Sequence, residues 1–581
     1  MHDPLRKKIA EVLHSVSKQY QANWSLIEIE RSFSLPPQRE LGDIAIPCFS
    51  VAKALKKSPV ILAQDWASQM SGPEFEATAA GPYINVKFRT AFLAQTQIER
   101  IRSGEFFRQA RVVNPQRWMI EYSQPNTHKE LHVGHMRNAC LGLALSRLQK
   151  FVGHSVLTAT FPGDVGTHVA KCLWYIQTQN PGPWPSEKRG EWLGQIYSKA
   201  NLLLEDWESR NESELLLQGQ ARMTEILRQL ERKSGPFFEM WVETRQWSVD
   251  LMKRVYAWLG VEFDQWYWES EMDSPSVSYV RELFQQGKLI ESQGAIGMNL
   301  EDAQLGFCLL LKKDGTGLYA TKDLELARRK FQDYQIEKSI YVVDLRQSLH
   351  FQQVFEVLKR LGFEQAKDCY HLAYNFVELP DGAMSSRKGN IVPITELMER
   401  MEIKIIDSFL HRYEKEWSQA EISKVAGQVA NAAIKYGMLR IDTNKKIVFE
   451  MEEWLRMDGE SGPFIQYAAA RIRSLLRKLS FDPASGFDST LLQHPKERAL
   501  IQKSLYFSPV VRFCSESERI SPLCTYLYEL AQDFNSFYHE VSLAQSETLE
   551  LRNSRLHLAS AMGEIFRVGL EILGIEVPER M

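Results

Sequence analysis

The 581-residue sequence predicts a multidomain protein: a doubly wound α/β domain carrying a helical insertion, a small α+β domain before it and an all-α bundle after it. Three observations predict this. The chain is longer than one hydrophobic core usually serves. Residues 118–160 read as strand, loop, helix and strand, the βαβ unit of a parallel sheet. From about residue 400 onward the apolar spacing reads as helical only.

Each element follows in order. Leu5, Ile9, Val12, Leu13 and Val16 recur at three- and four-residue steps, so residues 1–20 form an amphipathic helix, and a second helix follows near 48–70. Gly81-Pro82 breaks the chain, and Tyr83-Ile84-Asn85-Val86-Lys87-Phe88 then alternates as a strand, closing an N-terminal domain over 1–110. Trp118-Met119-Ile120-Glu121-Tyr122 is a buried strand, and Met136, Cys140, Leu143, Leu148 and Phe151 mark a helix that runs to Gly153, a good C-cap residue. Residues 155–160 return as a strand, and 339–343 supply another. This places a Rossmann-like domain over 111–400, with a Trp-rich helical insertion at about 170–290. The remainder, 401–581, is a helical domain, with long helices over 461–479 and 522–541.

Composition sets bounds. Apolar residues make up 44% and charged residues 25%, as in ordinary globular chains. Lys plus Arg number 70 against 73 for Asp plus Glu, so any basic surface is local. Seven cysteines without a CxxC pair argue against a disulfide framework and a structural metal, and for a reducing cytoplasm. The charged N-terminus and the lack of a long apolar run predict no membrane segment.

The stretch Glu121-Tyr122-Ser123-Gln124-Pro125-Asn126-Thr127-His128-Lys129-Glu130-Leu131-His132-Val133-Gly134-His135 sits at the end of the first parallel strand and the start of the next helix. Such sheets bind nucleotides there, because free backbone NH groups and the helix dipole favour phosphate. His132 and His135 add donors, and Gly134 lets a ligand approach the backbone. On spacing alone the two histidines are equally a solvated helix start, and no third ligand for a metal lies nearby.

The context decides. His132-Val133-Gly134-His135 resembles the HIGH signature of class I aminoacyl-tRNA synthetases, and the longer phrase resembles the arginyl-tRNA synthetase form of it. Tyr319-Ala320-Thr321-Lys322-Asp323, the run from Tyr341 to Phe351 and Met384-Ser385-Ser386-Arg387-Lys388-Gly389-Asn390 recur in that family's order. Leu41-Gly42-Asp43-Ile44-Ala45 and Gly81-Pro82-Tyr83-Ile84-Asn85 are similar to its N-terminal tRNA-binding domain. Tyr526-Leu527-Tyr528-Glu529-Leu530 and Pro578-Glu579-Arg580-Met581 are similar to its anticodon-binding helical domain.

This resemblance implies activation of arginine with ATP, carried as its Mg2+ complex, and transfer of the arginyl group to a tRNA by a monomer. It implies that His132, Gly134 and His135 meet the nucleotide, with Met384, Ser385 and Ser386 in the mobile loop. Ala383 and Ser386 stand where the class pattern has lysines, so Lys129, Arg387 and Lys388 are the candidate cations for the phosphates. The same matching puts Asp323 and Glu269 at the guanidinium with Tyr319 against its plane. Asn126, Gln347 and Gln124 face the amino acid's backbone groups, and Glu121 lines the pocket. For tRNA it implies Tyr83 and Asn85 in the N-terminal domain, and the helix from Ser461 adds Tyr467 and Arg471. A synthetase-like protein that binds tRNA or nucleotide without charging is the alternative reading.

Overall fold

The computed structural model describes residues 3–380 and 392–581. Asp3 caps the first helix, Pro4–Gln19, accepting from the backbone NH groups of Leu5 and Arg6, and Leu5, Ile9, Leu13 and Val16 face the core. Three antiparallel strands follow: β1 (Ile44–Pro47), β2 (Phe75–Ala80) and β3 (Tyr83–Phe88), in the order β1-β3-β2. Gly81-Pro82 is the turn between β2 and β3. The single helix expected near 48–70 is two, Phe49–Leu55 and Pro59–Gln69, because Pro59 cannot continue a helix and starts a new one.

The central sheet is parallel throughout. Its strands are β4 (Arg117–Glu121), β5 (Ser155–Thr160) and β6 (Gln265–Trp266). A separate antiparallel meander of β7 (Ile290–Ser292), β8 (Ala295–Asn299) and β9 (Phe307–Leu311) precedes the last two parallel strands, β10 (Lys338–Asp344) and β11 (Cys369–Tyr374). The sheet order is β11-β10-β4-β5-β6. From β4 the chain winds outward to β5 on one side and later returns on the other side as β10. The strand order therefore reverses between β4 and β10, and a crevice opens at their carboxyl ends.

The helix Val133–Val152 joins β4 to β5 and ends at Gly153 with φ 111°. It is buried on nearly every face, packing on the sheet and on the helices Gln419–Leu439, Phe507–Ser517 and Leu549–Ile572. The insertion is helical over Thr167–Leu259, but the chain rejoins the sheet at β6 before the helix Glu269–Gln285. The mostly helical stretch expected over about 170–290 thus includes a short strand, two residues of which suffice to cover the edge of β5.

The C-terminal part is helical with one exception. Strand β13 (Ile447–Val448) pairs with β12 (Val377–Glu378), tying residues after 440 to the sheet domain.

Candidate active site

The loop after β4 is pinned by its own backbone. Ser123 (φ 56°) and His128 (φ 58°) both hold left-handed conformations, a strain that tends to mark functional loops. Asn138, on the following helix, spans the switch point. Its Oδ1 accepts from Ser123 N at 2.5 Å, and its Nδ2 donates to Gln124 Oε1, Val342 O and Tyr374 Oη. Of the three histidines in the stretch, His128 is structural. It is fully buried between Thr127 Oγ1 (3.0 Å) and Thr244 Oγ1 (2.8 Å), and burial pushes its pKa down to about 3.

His132 and His135 cap the helix reciprocally. Gly134 N donates to His132 Nδ1 at 3.2 Å, and His132 N donates to His135 Nδ1 at 3.1 Å. Because each Nδ1 accepts, each ring carries its proton on Nε2. The ring centroids lie 4.0 Å apart. Burial, with the nearby charges of Arg346 and Lys129, lowers the His132 pKa to about 4; burial, His132 and Lys129 take His135 well below its usual value. Both rings are thus neutral donors at pH 7. Lys129 lies half-buried beside them, 5.1 Å from the Tyr197 ring centroid. Arg346, held by both oxygens of Asp344 at 2.8 Å, adds a second cation near His132.

Met384, Ser385, Ser386, Arg387 and Lys388 lie outside the described residues. The segments on either side are held by the same helix. Val133 N donates to Val392 O, and Ile394 N donates to Leu131 O at 2.9 Å. The buried guanidinium of Arg137 donates to Asn375 O, Lys445 O and Asp442 O at 2.5–3.0 Å.

Two carboxylates face the crevice from neighbouring helices. Glu269 is the first residue of its helix, 4% exposed. Its Oε1 accepts from Lys322 Nζ at 3.2 Å, while its buried Oε2 has no hydrogen-bond partner among the described residues. Burial pushes its pKa up to about 7. Asp164, wholly buried, fixes this helix end by accepting from Ser270 N (2.9 Å), Ser270 Oγ (2.8 Å) and Arg245 Nε (2.7 Å). Asp323 lies on the first turns of Tyr319–Tyr334 and accepts from His350 Nε2 at 2.6 Å. Tyr319, at the start of that helix, is exposed. Asn126 approaches Glu269 across Gly163, where a Cβ would lie 2.3 Å from Asn126 Oδ1 and 3.1 Å from Glu269 Oε2. Gln347 is exposed at the end of the β10 loop.

Glu121 lies at the carboxyl end of β4. Both its oxygens are engaged: Oε2 by the wholly buried Lys330, and Oε1 by Gln124 Nε2 at 3.1 Å. A carboxylate at 3% exposure requires such a counter-charge, so Glu121 forms the floor and reaches the crevice through Gln124.

Of the nucleic-acid candidates, Tyr83 is exposed and meets Phe49 edge-on at 5.6 Å, whereas Asn85 is 4% exposed beneath the same face. Arg471 lies between the rings of Tyr467 (4.5 Å) and Tyr538 (4.8 Å) and donates to Asn535 Oδ1 at 2.7 Å. Among the described residues no group of three or more His, Cys, Asp or Glu could hold a metal ion, and no helix is long and apolar enough to cross a membrane.

Comparison with known proteins adds to this geometry. The family model "tRNA synthetases class I (R), catalytic domain" matches residues 97–451. "Arginyl tRNA synthetase N terminal domain" matches 3–88, and "DALR anticodon binding domain" matches 465–581. The chain belongs to the arginyl-tRNA synthetase family. The arginine–tRNA ligase of Bdellovibrio bacteriovorus is 52% identical over 582 residues, covering 100% of both chains. That of Halothermothrix orenii is 31% identical over 95% of this chain and 96% of its own. The arginyl-tRNA synthetase of Thermus thermophilus superposes with a TM-score of 0.79 at 26% identity, over 99% of this chain and 100% of that one.

In this synthetase several residues around the candidate site carry no local sequence signal. Lys322 adjoins Asp323, and His350 precedes Phe351 at the end of the run from Tyr341, but their pairing joins three helices. Asp164, Lys330 and Arg137 act through partners 81 to 308 positions away.

Proposed function

We propose that this arginyl-tRNA synthetase charges tRNA with arginine through the crevice between β4 and β10, with Glu269 and Asp323 receiving the guanidinium. The observation that carries the reading is the buried, unpartnered Oε2 of Glu269 beside Asp323. A buried acceptor without a donor is costly, and a guanidinium with five donors and a fixed charge satisfies it. Arginine binding then draws Glu269 to its ionised form. Tyr319 covers the guanidinium plane, and Asn126, Gln124 and Gln347 meet the amino and carboxylate groups.

The arginine carboxylate attacks the α-phosphorus of ATP, which enters with its Mg2+, and pyrophosphate leaves. His132 and His135 donate from Nε2–H, and Gly134 opens the helix N-terminus to the phosphates. The terminal adenosine of the tRNA then attacks the arginyl carbonyl and AMP departs. Lys129, Arg387 and Lys388 supply charge to the phosphates, with Met384, Ser385 and Ser386 on the nucleotide. Tyr83 stacks on a tRNA base with Asn85 supporting it from below. Tyr467 and Arg471 present a second surface, where a guanidinium between rings suits a base or a phosphate. The protein works as a monomer in the cytoplasm, a compartment that suits its seven unpaired cysteines, six of them buried.

The test is Asp323→Asn assayed for charging with bulk tRNA. The arginine requirement rises about a hundredfold as a charge partner of the guanidinium is lost, and the ATP requirement stays nearly unchanged. Equal effects on both constants, or wild-type charging with another amino acid, would sink the assignment; tRNA binding without charging would favour the non-catalytic reading.

A further inference from the structure

His350 lies on the helix Ser348–Arg360, three residues after Gln347, and turns its ring towards the helix that carries Asp323. Its Nε2 donates to Asp323 Oδ2 at 2.6 Å, the short distance of a charge-assisted bond. The ring is partly exposed, 22% for its side chain against 14% for Asp323, so it borders the crevice rather than the core. Phe351 meets it edge-on at 5.2 Å and restricts its rotation. With Oδ2 engaged, Oδ1 is the oxygen turned over to a ligand.

We propose that His350 is a positioning residue for arginine recognition, holding the Asp323 carboxylate by Oδ2 so that Oδ1 meets the guanidinium. The inference rests on the assignment of Asp323 to the guanidinium. An imidazole suits this task better than a lysine would. A permanent cation would neutralise Asp323 and repel the substrate, whereas a neutral N–H orients the carboxylate and leaves its charge in place. The Glu269 side of the crevice already has its cation in Lys322, which also contacts Asp273 at 3.3 Å.

The pairing makes arginine binding sensitive to pH. Burial pushes the His350 pKa down, but the hydrogen bond and charge of Asp323 outweigh it and raise the value above the usual imidazole range. The other groups facing this site are Lys322 and Glu269 on the neighbouring helices and His371 on β11, the last held low by burial. When His350 is protonated, an arriving guanidinium meets an imidazolium at the same carboxylate. Arginine therefore displaces that proton, and its affinity falls as pH drops through the His350 pKa. Glu269, at about 7, contributes a second proton in the same direction, because its carboxyl must ionise to receive the guanidinium.

The experiment measures arginine binding directly by calorimetry on the full chain between pH 6 and pH 8.5, beside tRNA charging, for His350→Ala, His350→Gln and Asp323→Asn. His350→Ala is expected to weaken arginine binding about tenfold with kcat and the ATP requirement unchanged. Glutamine places an amide N–H near the position of Nε2 without titrating. His350→Gln should therefore recover most of the affinity at pH 8, and its binding should depend on one proton fewer than the wild type. Wild-type affinity in His350→Ala, or a glutamine variant as weak as the alanine one with the wild-type pH slope, overturns the inference. If Asp323→Asn is also silent, the guanidinium assignment itself falls; if Asp323→Asn alone weakens binding, only the role of His350 falls.

Discussion

Neutral histidines can donate hydrogen bonds to a phosphoryl group, but they cannot offset its charge. With His132 held near pKa 4 and His135 also well below its usual value, adenylate formation here needs cations from elsewhere. Lys129 is close enough to depress both rings and lies on the loop that delivers them. Arg346 is also near, though Asp344 binds the Nε–Nη2 edge of its guanidinium and offsets its charge. Lys129→Ala is therefore expected to lower arginine- and tRNA-dependent pyrophosphate exchange about a hundredfold, with arginine binding little changed. The comparison variant is Lys388→Ala. A near-normal Lys129→Ala with a collapsed Lys388→Ala would assign the charge to residues 381–391. At this scale the sequence was partly legible. The resemblance of His132-Val133-Gly134-His135 to the HIGH signature set those two rings apart, but nothing in the stretch from Glu121 to His135 showed what His128 does. That depends on Thr244, 116 positions away, which buries one ring and leaves the others at the crevice.

Elements with a strong period were readable, whereas elements defined by distant pairing were not. Strand β5 falls on the expected residues 155–160, and the helix Val133–Val152 ends at the glycine marked for it. The meander β7–β9 was not read because its strands are three to five residues long and lack sustained alternation. Strand β6 has two residues and exists because Ala159 and Thr160 offer it an edge. The loop after β5 shows how such elements make the site. Gly163 pairs with Asn126 and leaves room for Asn126 Oδ1 and Glu269 Oε2 to approach its Cα from two other elements. In Gly163→Ala the new Cβ, 2.3 Å from Asn126 Oδ1, forces that amide aside. The arginine requirement should rise at least tenfold, towards the roughly hundredfold that a misplacement of about 1 Å can cost. The melting temperature should move by no more than about 3 °C, because the loop lies at the end of the sheet. An unaltered arginine requirement would mean that Asn126 and Glu269 do not act together.

Across the whole molecule, the stretch Leu41-Gly42-Asp43 serves docking as well as the N-terminal fold. Asp43 is wholly buried and accepts from Arg498 Nη2 at 2.6 and 2.7 Å and from Phe88 N at 2.8 Å. Gln502 donates to Arg39 O and Gly42 O, Arg39 pairs with Asp533 at 2.9 Å, and Gln97 donates to Ser504 Oγ at 2.9 Å. The N-terminal domain is thus fastened to the C-terminal helices, so the Tyr83 face and the Arg471 cluster share one rigid base. Two surfaces at a fixed separation engage one long ligand without spending binding energy on ordering themselves. Arg498→Ala leaves Asp43 buried without its counter-charge, a change that commonly costs about 3–5 kcal/mol. Denaturant unfolding should show that loss, and replacing both Asp43 and Arg498 by alanine should recover part of it. Below the melting temperature, the tRNA requirement in charging should rise severalfold while direct arginine binding stays at the wild-type value. The crevice between β4 and β10 lies elsewhere, and its own pairs are untouched. If arginine binding fell in step with tRNA use, the docking would be supporting the catalytic domain as a whole. If neither changed despite the lost stability, the two surfaces proposed for tRNA would be acting independently.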